Sequence, residues 1–140
     1  MAEEAPIYPV RIASMASIEM YSNGLNVLLM KVPGADFVLA TTQGNDLLAA
    51  LDKGLQVDVV FVLVTPKDQG EMQLLRTLRA RYPQLILVAM LYEPELDHFD
   101  AEFDGGATKA IPVIDLTAPR LHRLVKEVRA ELMARNGTRS

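Results

Sequence analysis

The chain has 140 residues, 50% of them apolar, and a formal net charge of −4. One domain is expected for this length, because domains usually span ~100–200 residues. The sequence has no cysteine, which excludes disulfides, thiolate metal sites and cysteine nucleophiles, and its negative charge argues against nucleic-acid and anionic-membrane partners.

The N-terminus has neither the basic n-region nor the apolar h-region of a secretory signal. The longest apolar runs, residues 59–64 and 85–92, fall well short of the ~20 residues that a membrane-spanning helix needs. We therefore expect a cytoplasmic protein without a membrane partner. Its predicted parts are an N-terminal extension (1–8), one domain (9–134) and a C-terminal tail (135–140).

Strand-like and helix-like segments alternate along the chain. The predicted strands cover residues 10–15, 36–42, 57–64, 85–92 and 107–113. The helix-like segments that follow them carry apolar residues at steps of three and four, and they cover residues 17–32, 45–54, 68–82, 93–104 and 117–132. The third and fourth strands are almost wholly apolar, which is typical of parallel strands buried on both faces. We predict a single α/β domain of three layers, α/β/α, around a five-stranded parallel sheet.

Polar residues at the starts of three predicted helices are expected to cap them: Ser17, Asn45, and either Asp115 or Thr117. Gly24 lies inside the first helix, where glycine costs ~1 kcal/mol relative to alanine, so we expect a packing reason for it. The last helix is expected to bury one apolar stripe: Leu121, Leu124, Val125, Val128 and Leu132.

In a parallel sheet the functional crevice lies beyond the carboxyl ends of the strands. The residues predicted at these ends are Ser14-Met15, Thr41-Thr42, Leu63-Val64-Thr65, Met90-Leu91 and Ile111-Pro112-Val113. None of them is an acid, a histidine or a lysine. We therefore expect no enzymatic activity and no metal ion or other cofactor.

Three weaker candidates have simpler interpretations. The segment 41–45 lacks the glycine spacing of a phosphate-binding loop and is interpreted as a turn into a helix. His98 and His122 have no suitably spaced second ligand and are interpreted as solvated helix positions rather than zinc ligands. Ser14 has no histidine partner near its strand end, which argues against a serine nucleophile.

A series of short motifs extends over residues 9–132. In chain order they are Gly24-Leu25 with Leu28-Leu29 before Pro33, Gly44 before Leu47-Leu48 and Leu51, Asp58-Val59-Val60, Leu74-Leu75-Arg76, Leu78-Arg79, Tyr82-Pro83 and Gly106-Ala107. In this order and spacing they resemble the receiver domains of two-component response regulators, especially those of the NarL/LuxR type. The resemblance implies a CheY-like (flavodoxin-like) fold with strand order 2-1-3-4-5.

The resemblance also implies a phosphorylatable switch. Such receivers hold Mg²⁺ with two acids after the first strand and accept a phosphoryl group on an aspartate at the end of the third. A Ser/Thr and a lysine close the fourth and fifth strands. Matched position by position, the acid pair falls on Ser14 and Met15, the acceptor on Leu63, the hydroxyl on Met90 and the lysine on Val113. The chain is therefore interpreted as a degenerate pseudo-receiver.

We call these five positions the former acid pocket. Two neighbouring residues do not restore its chemistry: Asp68 is expected to cap the following helix, and Lys109 is expected to point elsewhere. The apolar replacements are expected to form one patch that extends the core. The alternative is a pocket for a small apolar ligand.

The last third of the chain separates its charges. Residues 93–104 contain six acids and no Lys or Arg, whereas residues 116–140 contain six Lys or Arg and two acids. An acidic and a basic helix on one face would be self-complementary under a two-fold axis. The predicted interaction surface comprises Asp97, Asp100, Glu102, Asp104, Arg120, Arg123 and Glu127.

These observations predict a protein–protein interaction module of a signalling pathway that works without phosphorylation. It would bind a protein partner or a second copy through the predicted fourth helix, fifth strand and last helix. A receiver-like sensor with a small apolar ligand in the former acid pocket is the alternative function. No DNA-binding domain follows the last helix in this sequence, so this chain alone does not support a NarL-type transcription factor. It is either a stand-alone adaptor or a fragment of a longer protein.

Overall fold

The computed structural model describes residues 9–64, 70–91 and 109–137. Its strands are β1 (Val10–Met15), β2 (Ala35–Thr41), β3 (Val59–Val64), β4 (Ile86–Leu91) and β5 (Lys109–Pro112). Its helices are α1 (Glu19–Leu29), α2 (Gly44–Asp52), α3 (Gly70–Arg81) and α4 (Ala118–Gly137), with a 3-10 turn at Val113–Asp115 before α4. The predicted acidic helix 93–104 lies outside the described residues.

The five strands form one parallel sheet in the order β2-β1-β3-β4-β5. The predicted parallel sheet and its strand order are therefore confirmed. In the described ranges, the strand bounds lie within two residues of those expected from the apolar runs. Because the chain moves from β1 to one side for β2 and to the other side for β3, a topological switch point lies beside β1.

The sheet separates two apolar cores. On one face, Phe61 and Leu63 of β3 pack in a cluster with Leu25 of α1 and Leu121 of α4. On the other face, Val60 and Val62 share a cluster with residues of α2 and α3. All six residues of β3 and all six of β4 are buried. Successive side chains of a strand point to opposite faces, which explains why these two strands are apolar at every position.

The last helix follows the sequence prediction closely at its start. The backbone N–H of Arg120 donates to the hydroxyl of Thr117 at 3.3 Å, so Thr117 rather than Asp115 caps α4. All five residues of its predicted stripe are buried. The helix continues to Gly137, past the predicted domain boundary at residue 134, and Arg135 forms an ion pair with Glu131 at 2.6 Å.

The predicted caps of the first two helices are wrong. Ile18 is the N-cap of α1, and its apolar side chain makes no capping hydrogen bond. The hydroxyl of Ser17 donates instead to the carboxylate of Glu71 at 3.3 Å. Gln43 is the N-cap of α2, and its carbonyl accepts the N–H of Leu47 at 3.3 Å. Asn45 consequently lies inside the first turn of α2 and does not precede it.

Helices α2 and α3 are joined at the amino-terminal edge of the sheet. The phenol of Tyr82 donates to the carboxylate of Asp52, which also pairs with Arg81 at 3.5 Å. The hydrogen bond to Asp52 is the main reason why the pKa of Tyr82 is raised above 10.0. This polar contact lies at the opposite edge from the predicted functional crevice.

No helix within the described ranges is long and apolar enough to cross a membrane.

Within the domain, the predicted packing reason for Gly24 is not found. A Cβ placed on Gly24 would have no heavy atom within 4 Å, because this residue lies on the outer side of α1. Its φ does not lie in the left-handed region, unlike that of Gly54, which is +103°. The isolated domain therefore has no structural need for glycine at position 24.

We expect Gly24→Ala to raise the free energy of unfolding by about 0.5–1 kcal/mol, through helix propensity alone. Urea-induced unfolding followed by circular dichroism measures this change. Gly54→Ala is the matched control and should destabilise the domain, because alanine is strained at a positive φ. A loss of stability in Gly24→Ala would contradict the open environment that surrounds this residue.

Candidate functional site

The centre of the former acid pocket is part of the core. Leu63 in β3 lies directly beside Met90 in β4 in the parallel register. The side chains are 0% and 1% exposed, and both belong to the cluster under α1 and α4. Val113, in the 3-10 turn after β5, is partly buried and packs against the same cluster. These three positions therefore form a continuous apolar unit.

Ser14 supplies the one buried hydroxyl among the five positions. Its Oγ lies 2.9 Å from the Oγ of Ser22 in α1, and both residues are buried. The pair satisfies one hydrogen bond of each hydroxyl without water, which offsets the cost of removing them from solvent. The hydroxyl of Ser14 is thus engaged in joining β1 to α1.

Met15 does not join this patch. It is buried in the other cluster, with Leu47 of α2 and Leu75 of α3. Strand alternation is the reason, because Ser14 and Met15 are consecutive and point to opposite faces of the sheet. The expectation of a single patch formed by Met15, Leu63, Met90 and Val113 is therefore wrong at Met15.

A cleft opens at the carboxyl edge of the sheet beside Met15, on the β1–β2 side. Its volume is about 260 Å³, and it is lined by Met15, Ser17, Thr42, Gln43, Gly44, Asn45, Leu48, Gly70, Glu71 and Leu74. Glu71, in the first turn of α3, is 1% exposed and accepts the hydrogen bond from Ser17. The wall of the cleft therefore combines polar groups with the apolar Met15, Leu48 and Leu74, and Leu63 and Met90 do not line it.

Ser22 and Glu71 were not predicted from the sequence. Ser22 precedes the buried Leu25 and Leu29 by three and seven residues, and Glu71 precedes Leu74 and Leu75 by three and four. Both polar residues therefore lie on the apolar stripe of their helix. Helical spacing is the one signal that could have shown their burial.

The basic part of the predicted interaction surface lies on the outer side of α4. Arg120, Arg123 and Glu127 are all exposed. A shallow cleft of about 500 Å³ runs along this side, lined by Pro119, His122, Arg123, Lys126, Glu127 and Ala130. The acidic members of the predicted surface, Asp97, Asp100, Glu102 and Asp104, lie outside the described residues.

Lys109 and His122 have the environments expected of them. Lys109, in β5, pairs with Glu127 of α4 at 3.6 Å, so its ammonium group points to the last helix. His122 is exposed on α4, as predicted for a solvated helix position. His98 and Asp68 lie outside the described residues.

Comparison with known proteins finds a similar fold. No family model and no curated protein sequence matches the chain. A response regulator from Thermotoga maritima superposes with a TM-score of 0.73 at 17% identity, covering 87% of this chain and 98% of that one. The fold is that of a response-regulator receiver domain.

Two further solved structures agree. The non-phosphorylated receiver domain of the stress response regulator RcsB from Escherichia coli has a TM-score of 0.73 at 12% identity, covering 88% of this chain and 95% of that one. The response regulatory domain of protein mrkE from Klebsiella pneumoniae has a TM-score of 0.69 at 15% identity, covering 87% of this chain and 97% of that one. Identities this low establish the receiver fold alone.

The described residues that match the receiver's acid and acceptor positions do not fit a magnesium ion. Mg²⁺ prefers hard oxygen ligands in octahedral geometry. Leu63, Met90 and Met15 offer no oxygen at their side chains, and the hydroxyl of Ser14 is bonded to Ser22. Within the described ranges, no group of three or more acid, histidine or cysteine side chains could hold a metal ion.

We expect Ser22→Ala to lower the free energy of unfolding by about 1–3 kcal/mol, because it leaves the buried hydroxyl of Ser14 without this partner. Urea unfolding of Ser14→Ala, Ser22→Ala and the double variant measures the coupling. The double variant should lose less stability than the sum of the two single variants. The exposed Thr42→Ala is the control and should change stability by less than about 0.5 kcal/mol. Strictly additive losses would contradict a direct Ser14–Ser22 bond.

Proposed function

We propose that this chain is a degenerate receiver that acts as a protein–protein interaction module in signalling and does not use phosphorylation. The burial of Leu63 is the observation that carries the proposal. In the resemblance to NarL/LuxR-type receivers, Leu63 occupies the place of the aspartate that accepts the phosphoryl group. Here this side chain is 0% exposed and packs within the core.

The physical chemistry of phosphoryl transfer supports this proposal. The transfer needs a nucleophilic carboxylate in reach of solvent and cationic groups that stabilise the developing charge. Leu63 has no nucleophilic atom, and Met90 beside it adds a second apolar side chain. Lys109 is turned toward Glu127, so it does not supply a cation at this place. The residues on these two strands stabilise the fold by apolar burial instead.

We expect no phosphoryl group on the protein after incubation with acetyl phosphate and Mg²⁺. Intact-protein mass spectrometry before and after hydroxylamine treatment detects an acyl phosphate, and the shift of the thermal midpoint with beryllofluoride gives a second readout. A receiver that retains its acceptor aspartate is the positive control in both assays. A stoichiometric, hydroxylamine-sensitive phosphate on this chain would overturn the proposal.

The proposed interaction surface combines the outer side of α4 with β5 and the acidic segment 93–104. Its described part carries Arg120, Arg123 and Lys126 beside two acids that already pair within the chain, Glu127 with Lys109 and Glu131 with Arg135. Such a surface attracts an acidic partner and orients it. Exposed ion pairs contribute only ~0–1 kcal/mol each, so apolar contacts must provide much of the affinity. The partner is either another protein or a second copy.

We expect the double reversal Arg120→Glu/Arg123→Glu to weaken partner capture or self-association by about tenfold or more. Partner capture is measured by pull-down from the native host, quantified by mass spectrometry. Self-association is measured by light scattering. Lys53→Glu, an exposed charge reversal at the C-terminal end of α2, is the matched control. If both measurements match those of the wild type, this surface is not the one used.

The remaining expectations belong to the same proposal: no enzymatic activity, no cofactor and a cytoplasmic location. The alternative, a sensor for a small apolar ligand, gains no support from Leu63 and Met90, because both are packed in the core. The cleft at that edge has walls of mixed polarity, lies beside Met15 and is not lined by Leu63 or Met90.

A further inference from the structure

Helix α1 exposes large apolar side chains on the side opposite its core stripe. Leu25 and Leu29 are buried, whereas Met20, Val27 and the C-cap residue Met30 are 67%, 55% and 77% exposed. Met20 and Val27 are seven residues apart, two helical turns, so they lie above one another on one face. An isolated exposed apolar residue is ordinary, but three on one short helix form a patch.

The same helix has charges only at its two ends. Glu19 opens α1, Lys31 follows its C-cap, and no charged residue lies between them. The outer side of α4 differs, since Arg120, Arg123, Lys126 and Glu127 are exposed there. The outer face of α1 is therefore built like an interface core with a charge at each end.

Gly24 lies within this face, four residues after Met20 and three before Val27. The space outside it is open, since a Cβ would meet nothing within 4 Å. Glycine has no stabilising role there in the isolated domain, as described above. It does leave room for another helix to approach, because the distance between packed helices is set by the side chains at their contact.

We propose that a second copy of this chain covers this face, with the two α1 helices packed antiparallel around a two-fold axis that passes outside Gly24, level with position 25 along the helix. Glu19 and Lys31 lie six residues on either side of position 25, and Met20 and Met30 lie five residues on either side. Antiparallel pairing therefore brings opposite charges to both ends of the contact and pairs Met20 with Met30 of the second copy. Parallel pairing would bring like charges together.

This contact goes beyond the proposed function, because it uses α1 and none of the residues of the interaction surface on α4 and β5. A dimer formed in this way leaves Arg120 and Arg123 of both copies available to a partner. Two interaction surfaces on one domain, one for self-association and one for a partner, make the module bivalent.

Sedimentation velocity over a concentration series up to about 1 mM tests the contact. We expect reversible dimerisation of the wild type and a loss of about tenfold or more in the association constant of Val27→Glu. Ile114→Glu is the matched control, because Ile114 is also apolar and 81% exposed but lies outside α1. Circular dichroism and the thermal midpoint check that both variants are folded.

Two further variants test the geometry. Glu19→Lys should weaken dimerisation, and Glu19→Lys/Lys31→Glu should restore it, because the exchange re-forms opposite charges only in the antiparallel pair. Gly24→Ala should weaken dimerisation while it stabilises the isolated domain, a combination that a purely structural role cannot give.

Several outcomes would overturn the proposal. A wild type that stays monomeric at all concentrations excludes a second copy as the occupant of the α1 face. The occupant would then be another protein or another part of this chain. Dimerisation that survives Val27→Glu but is lost in Arg120→Glu/Arg123→Glu assigns self-association to α4 and β5 instead. That second result would support the interaction surface of the proposed function, so failure of one proposal is distinguishable from failure of the other.

Discussion

The burial of β3 and β4 on both faces is the constraint on which the rest of this structure depends. Every residue of these two strands fills one of two cores, one under α1 and α4 and the other under α2 and α3. A buried side chain of this size contributes about 1.5–3 kcal/mol, so the two strands supply much of the driving force for folding. The cost is that no residue on them can be polar without a buried partner.

This constraint governs what the carboxyl edge of the sheet can do. Leu63 and Met90 are core residues as well as strand-end residues, and the buried polar group near the end of β1, the hydroxyl of Ser14, is bonded to Ser22. Polar groups that reach a cleft lie on the β1–β2 side instead, where Glu71 and Ser17 meet. The residues at this edge of the receiver fold therefore hold its helices to its sheet, and they leave no carboxylate in the described part of β3 and β4.

The sequence predicts the layers of this fold well, because two apolar runs and the turns around them determine where strands can form. The sequence predicts less well which residues of the former acid pocket lie together. The resemblance aligns Met15 with Leu63 as parts of one site, but strand alternation sends them to different cores. Residue order shows which residues are near a strand end and does not show which of them meet.

Caps and buried polar residues could be predicted only in part, for a related reason. Thr117 caps α4 as expected, whereas Ser17 bonds to a carboxylate from a helix more than fifty residues away. A serine before an apolar stripe has the same local sequence signal in both cases. The competing acceptor, Glu71, belongs to α3, which packs on the opposite face of the sheet from α1. It comes near Ser17 only at the edge of the folded sheet, and no local pattern contains that information.

The contrast between α1 and α4 separates what folding requires from what it leaves open. Both helices pack on the same face of the sheet, and each buries one apolar stripe. Their outer faces do not contribute to that core, and methionine, lysine and arginine have similar helix propensities, so folding is nearly indifferent to which of them lies there. Yet α4 carries charges outward and α1 carries Met20 and Val27. This difference is demanded neither by core packing nor by helix propensity, and it is what the two proposed contacts require, a second copy on α1 and a partner on α4.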